Sequence, residues 1–194
     1  MAESADAPQR PEDSSPEMPV LLLCGAGDLA ARVAPLAAAC GFEVDVAQVP
    51  PSMGAQAAQE LSLAPPDPSL NAAYPEASHL FVVDDLSRLL DICDVGLGHF
   101  ICIDLEDMDQ ALAALAMALQ SRAAYIGLAA SRDEWAEIFA ILRGRGVPEA
   151  ELFAVSCPMG LPVGAITPQQ KAVALVAELL AARAGVLKRL RPDA

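Results

Sequence analysis

An apolar run, Val20-Leu21-Leu22-Leu23-Cys24, passes directly into Gly25-Ala26-Gly27-Asp28-Leu29-Ala30 and then into a helix-forming stretch. A continuous apolar strand suits the interior of a parallel sheet, where both faces are covered. A Gly-x-Gly-x-x-Ala turn that opens a helix is how a dinucleotide-binding βαβ unit begins. Gly25 suits the tight turn, Gly27 lets backbone approach a pyrophosphate, and Ala30 lets the helix pack closely on the strand. The free N–H groups and positive dipole end of that helix favour an anion. Such turns also arise for purely structural reasons, so the motif alone leaves nucleotide binding open.

An NAD site adds an acidic residue about 20 positions beyond the glycines, at the tip of the second strand. Here that strand, Phe42 to Gln48, ends on a neutral amide. Asp45 lies mid-strand and is expected to face solvent or a neighbouring helix end. No Arg or Lys stands between Val44 and Tyr74 to take an NADP phosphate. Hydride transfer with NAD(P) or FAD is therefore the second reading, disfavoured by Gln48.

The 194 residues, with positive mean hydropathy, suffice for one substantial core and argue for a single domain. The formal charge of −14 opposes nucleic-acid binding, which needs a basic surface. No apolar run is long enough to span a bilayer, and no signal-peptide pattern is present. Five cysteines without C-x-x-C spacing read as thiols in a reducing cytoplasm.

Residues 1–18, rich in Pro, Ser and acid, cannot repay their ordering entropy and are expected to be a disordered tail. Residues 19–186 then form the domain, and 187–194 a short tail with the basic cluster Lys188, Arg189 and Arg191. Within the domain, Pro35 interrupts the first helical pattern and predicts a kink. A Pro-rich crossover runs from Val49 to Glu76, with a possible short helix over Ala55 to Leu61. Apolar strands recur at His79–Val83, His99–Leu105 and Ala124–Leu128, separated by helical patterns at Leu86–Ile92 and Met108–Arg122. Ser131-x-x-Glu134 and Thr167-Pro168-x-Gln170 are capping boxes, and Gly144, Gly146 and Gly185 end helices. The alternation predicts an α/β fold: a doubly wound parallel sheet, Rossmann-like, in three α/β/α layers, strand order 3-2-1-4-5.

Two later segments carry a resemblance: Tyr125-Ile126-Gly127-Leu128-Ala129-Ala130-Ser131-Arg132, and Pro158-Met159-Gly160-Leu161-Pro162-Val163-Gly164-Ala165-Ile166-Thr167-Pro168. With Ala34-Pro35-Leu36-Ala37 and Tyr74-Pro75-Glu76-Ala77, they resemble the C-terminal Rossmann domain of the XdhC/CoxI family, accessory proteins of xanthine dehydrogenase and other molybdenum hydroxylases. The resemblance implies a maturation factor, a chaperone that binds molybdenum cofactor (molybdopterin) and docks on the hydroxylase. It covers Pro19 to about Gly185. Departures are Asp28 where the family tends to His, Gln48 for Asp, Ile103-Asp104 for Thr-His, and Pro162 and Ile166 where an acid is common. The family's further domain, with its cysteine motif, has only the acidic tail in its place.

The candidate cofactor-binding residues are Gly25, Ala26, Gly27, Asp28, Leu29, Gln48, Asp104, Ser131, Arg132, Gly160, Gly164 and Thr167. Asp28 reads more readily as a helix-capping acid than as a ligand. Asp104, beside the topological switch point, reads first as a structural carboxylate. Ser131 is accounted for by its cap, leaving Arg132 the freer phosphate candidate. Gly160, Gly164 and Thr167 could offer N–H groups to an anion or simply negotiate a turn. Cys157 is the one thiol singled out for sulfur chemistry. His79 and His99, with no Cys or acid at metal spacing in sequence, read as structural. No catalytic set and no metal cluster emerges, and a ligand-free scaffold is the third reading. The stripe Ala172, Leu175, Val176, Leu179 and Leu180 suits either packing on the sheet or a homodimer, which would add contacts from the Pro-rich crossover.

Overall fold

The computed structural model describes residues 18–48, 68–82, 89 and 95–185. The acidic tail up to residue 17, most of the Pro-rich crossover, the helical pattern around Leu89 and the basic C-terminal cluster lie outside the described residues.

Five strands, β1 (Val20–Cys24), β2 (Glu43–Gln48), β3 (His79–Val82), β4 (His99–Ile103) and β5 (Tyr125–Leu128), form one sheet in the order β3-β2-β1-β4-β5. Every pairing is parallel. The order reverses between β2 and β4 around β1, which opens a crevice at the carboxyl ends of β1 and β4. Among the described residues six helices accompany the strands: α1 (Asp28–Ala39), α2 (Pro68–Ala73), α3 (Met108–Ala118), α4 (Arg132–Gly144), α5 (Glu149–Leu152) and α6 (Pro168–Arg183).

Side chains alternate across the sheet, and this divides the core into two layers. Leu21, Leu23, Val44, Val46, Phe100 and Cys102 face α1 and α6. Leu22, Cys24, Ile101, Ile103 and Leu128 face α3 and α4. Ala30, Ala34 and Ala37 of α1 are buried, and their small size lets α1 pack closely against α6 and the sheet. Pro35 lies inside α1, which continues to Ala39.

Both capping boxes form. The Ser131 hydroxyl accepts from the Glu134 N–H while the Glu134 carboxylate accepts from the Ser131 N–H, and Thr167 and Gln170 reproduce the pattern at α6. α2 and α5 are short helices that the apolar pattern does not announce. α2 begins on Pro68, whose fixed φ suits a first helical position.

The stripe on α6 is turned inward. Ala172, Leu175, Val176 and Leu179 are buried within the chain, and of the five only Leu180 is exposed. That face is covered by α1 and the sheet, so of the two alternatives packing accounts for the buried part of the stripe.

Candidate functional site

Beyond β1 the chain turns at Gly25, whose φ is +120° and where a Cβ would stand 2.0 Å from the carbonyl oxygen of Asp104. The backbone after β1 thus presses against the backbone after β4, and only glycine fits. The Gly25 N–H donates to Ala47 O and the Asp104 N–H to Cys24 O, so the pairings carry past the strand ends. Gly27 then caps α1 without any side-chain hydrogen bond to the helix. Among the described residues, a Cβ on Gly27 would meet the Asp104 Oδ2 at 3.8 Å, an ordinary contact distance. Tyr74, following α2, holds the turn from the side by donating its hydroxyl to Gly27 O at 3.1 Å. Burial, with Asp104 and Asp28 adding, raises the Tyr74 pKa, so it remains a donor.

An open cleft of about 660 Å³ lies above this turn, within the range of about 300–1,000 Å³ that small-molecule sites occupy. Its walls are Gly27, Asp28 and Leu29 from the start of α1, Asp104 and Glu106 after β4, Ala129, Ala130 and Ser131 after β5, Pro158 and Met159, and Pro168 and Lys171 from α6. The amino termini of α1, α4 and α6 therefore border one space. At α4 and α6 the capping boxes already engage the leading N–H groups. Among the described residues no side chain caps α1, and its first turn faces the cleft, where a ligand's anionic group would be favoured.

The charge of the cleft is mixed. Among the described lining residues Lys171 is the cation, alongside the acids Asp28, Asp104 and Glu106. Asp28 is bound by Arg32 one turn on, with contacts of 2.8 and 3.0 Å. It is a first-turn residue of α1, since Gly27 occupies the cap, which corrects its reading as a capping acid. Asp104 is half-buried; burial raises its pKa, Glu106 adds to the rise and Lys171 opposes it.

Of the sequence candidates, Gly27, Asp28, Leu29, Asp104 and Ser131 line the cleft. Gly25 lies beneath it in a small apolar cavity shared with Leu23, Cys24, Cys102 and Met159. Gly164 borders a separate shallow depression with Val163, Gln169 and Val173. Ala26, Gln48, Arg132, Gly160 and Thr167 are not among the cleft walls. Cys157 is half-buried behind the cleft, its Sγ 3.7 Å from Ala130 O. Sequence reasoning passed over Glu106, Met159 and above all Lys171. The available signal was its place four residues after the Thr167 cap, on the same helix face.

Behind the cleft a polar group crosses the core. Glu178, fully buried on α6, accepts hydrogen bonds from the hydroxyls of Tyr125 on β5 and of Ser156. Ser156 in turn bridges in parallel to Gly127 of β5. A Cβ at residue 127 would meet the Tyr125 hydroxyl at 2.6 Å, so glycine leaves the room that the tyrosine fills.

The histidines part ways. His99 accepts from the Gly96 N–H in a local turn, whereas His79 lies 2.9 Å from Asp45 Oδ1. Asp45 is buried and paired, which corrects its expected exposure, and His79 does have acidic neighbours, brought by strand register rather than by sequence spacing.

The model of a family described as the XdhC Rossmann domain matches residues 21–179. Among curated proteins, the chain is 28% identical over 162 residues to YqeB of Escherichia coli (strain K12), an uncharacterized protein. That alignment covers 84% of this chain and 27% of YqeB. Among solved structures, one described as a xanthine dehydrogenase from Bacillus halodurans matches with a TM-score of 0.67 at 20% identity, over 87% of this chain and 43% of that one. The chain thus spans about a quarter of the one relative and less than half of the other. At such identity the structural likeness bears on the fold alone.

Proposed function

This chain belongs to the family of the XdhC Rossmann domain, and from that premise we propose that it is an accessory protein of a molybdenum hydroxylase. In this reading residues 19–186 act in the cytoplasm as the unit that holds molybdenum cofactor and presents it to the enzyme. The observation that carries the reading is the cleft: a helix terminus capped by a glycine without a side chain, a lysine and a half-buried acid gathered around a space of small-molecule size.

The first turn of α1 and the Lys171 ammonium suit the phosphate end of the cofactor. Gly27 allows that group to come close, because no described residue fills the position its side chain would take. Asp104 and Glu106, as acceptors, suit the amino and ring N–H donors of a pterin. Met159 and Pro158 provide the apolar wall on which a flat ring rests.

Purification from molybdenum-replete cells tests this. The expected result is chain carrying pterin and molybdenum, able to restore activity to a cofactor-free hydroxylase of the xanthine dehydrogenase kind. A chain that comes out empty, takes up no added cofactor and captures no hydroxylase overturns the reading. Retention of NAD or FAD in place of a pterin would transfer the cleft to a nucleotide.

A further inference from the structure

At the end of the sheet away from the cleft, the register of β2 and β3 gathers three metal-ligating side chains. Glu43 and Asp45 stand two residues apart on β2 and so share a face, and Asp45 is directly opposite His79 on the edge strand β3. One ligand atom from each lies within 4.8 Å of the other two. Asp45 is buried while the His79 side chain is 60% exposed, so the group opens to solvent on one side. Its charge is unbalanced: two carboxylates share one imidazole, and no Lys or Arg among the described residues pairs with either acid.

We propose that Glu43, Asp45 and His79 form a binding site for a divalent first-row transition ion of the Zn²⁺ kind, which pins the edge strand β3 to β2. One imidazole nitrogen and two carboxylate oxygens suit Zn²⁺, with water completing a tetrahedron on the open side. Mg²⁺ and Ca²⁺ favour all-oxygen sets with more ligands. On binding, the ion takes the place of the proton shared by His79 Nδ1 and Asp45 Oδ1, and that proton passes to Nε2 or to water. An ion held by the folded chain alone stabilises it by mass action. The site stands at the amino ends of β2 and β3, so it is independent of the cofactor reading.

The test uses the full chain, stripped with chelator and titrated with Co²⁺ as a spectroscopic probe that Zn²⁺ then displaces. The expected result is one ion per chain, bands of nitrogen and oxygen ligation without a thiolate charge-transfer band, and a higher melting temperature. Glu43→Gln and His79→Gln should each weaken affinity by at least about tenfold and leave metal-free melting close to wild type. Because a variant can fold poorly, NMR of the wild-type chain supplies a second readout. With two histidines in the sequence, bound Co²⁺ should displace the ring signals of His79 far more than those of His99. No bound equivalent, a thiolate band, undiminished affinity in either folded variant, or equal effects on both histidines would overturn the proposal.

Discussion

Gly25 and Gly27, two residues apart, answer to different constraints, and substitution separates them. At Gly25 a methyl group would meet a backbone carbonyl, and φ is positive. Gly25→Ala should therefore cost at least about 3 kcal/mol in urea unfolding, strain and overlap together. At Gly27 the methyl would enter the cleft, so Gly27→Ala should stay within about 1 kcal/mol of wild type. Asp104 gives a prediction in pH. Burial holds its folded pKa above the ordinary carboxylate value, so its contribution to stability is complete below that value and is lost as pH rises through the folded pKa. Unfolding curves from about pH 4 to neutrality should show Asp104→Asn gaining on wild type as pH rises. A constant difference would mean that the carboxyl is not desolvated. At this scale the glycine turn and Asp104's place beside the switch point were legible, because both follow from strand ends. Lys171 was not, because its approach to Asp104 depends on how α6 lies across the sheet.

α6 joins the cleft to the core. Its start is fixed by the Thr167 capping box and its middle by Glu178, which receives the Tyr125 and Ser156 hydroxyls. Tyr125→Phe removes one of these donors from a buried acceptor and should lower stability by about 1–2 kcal/mol, read as a shift of the denaturation midpoint with an unchanged slope. An unaltered midpoint would show that the Ser156 contact alone suffices. The helix starts were legible in sequence because a capping box is local, spanning four residues. The Glu178 group was not, since its members are 22 and 53 positions apart. The same reason hid the pairing of Asp45 with His79, 34 positions apart and joined by strand register.

For the whole molecule, alternation of strands with helices and the right-handed crossover rule led to the strand order and the three layers. The inward face of α6 is a consequence of those layers, since a helix that covers a parallel sheet must spend its apolar stripe on the sheet. The central claim is that the cleft at the switch point takes a phosphate-bearing pterin. Its most direct measurement is equilibrium binding of molybdenum cofactor to purified full chain, followed by pterin fluorescence, for wild type, Gly27→Ala and Lys171→Ala. The account predicts saturable binding at one cofactor per chain, weakened at least about tenfold in both variants, each loss corresponding to about 1.4 kcal/mol, while both melt like wild type. Absence of binding, or equal binding by all three folded proteins, would contradict it.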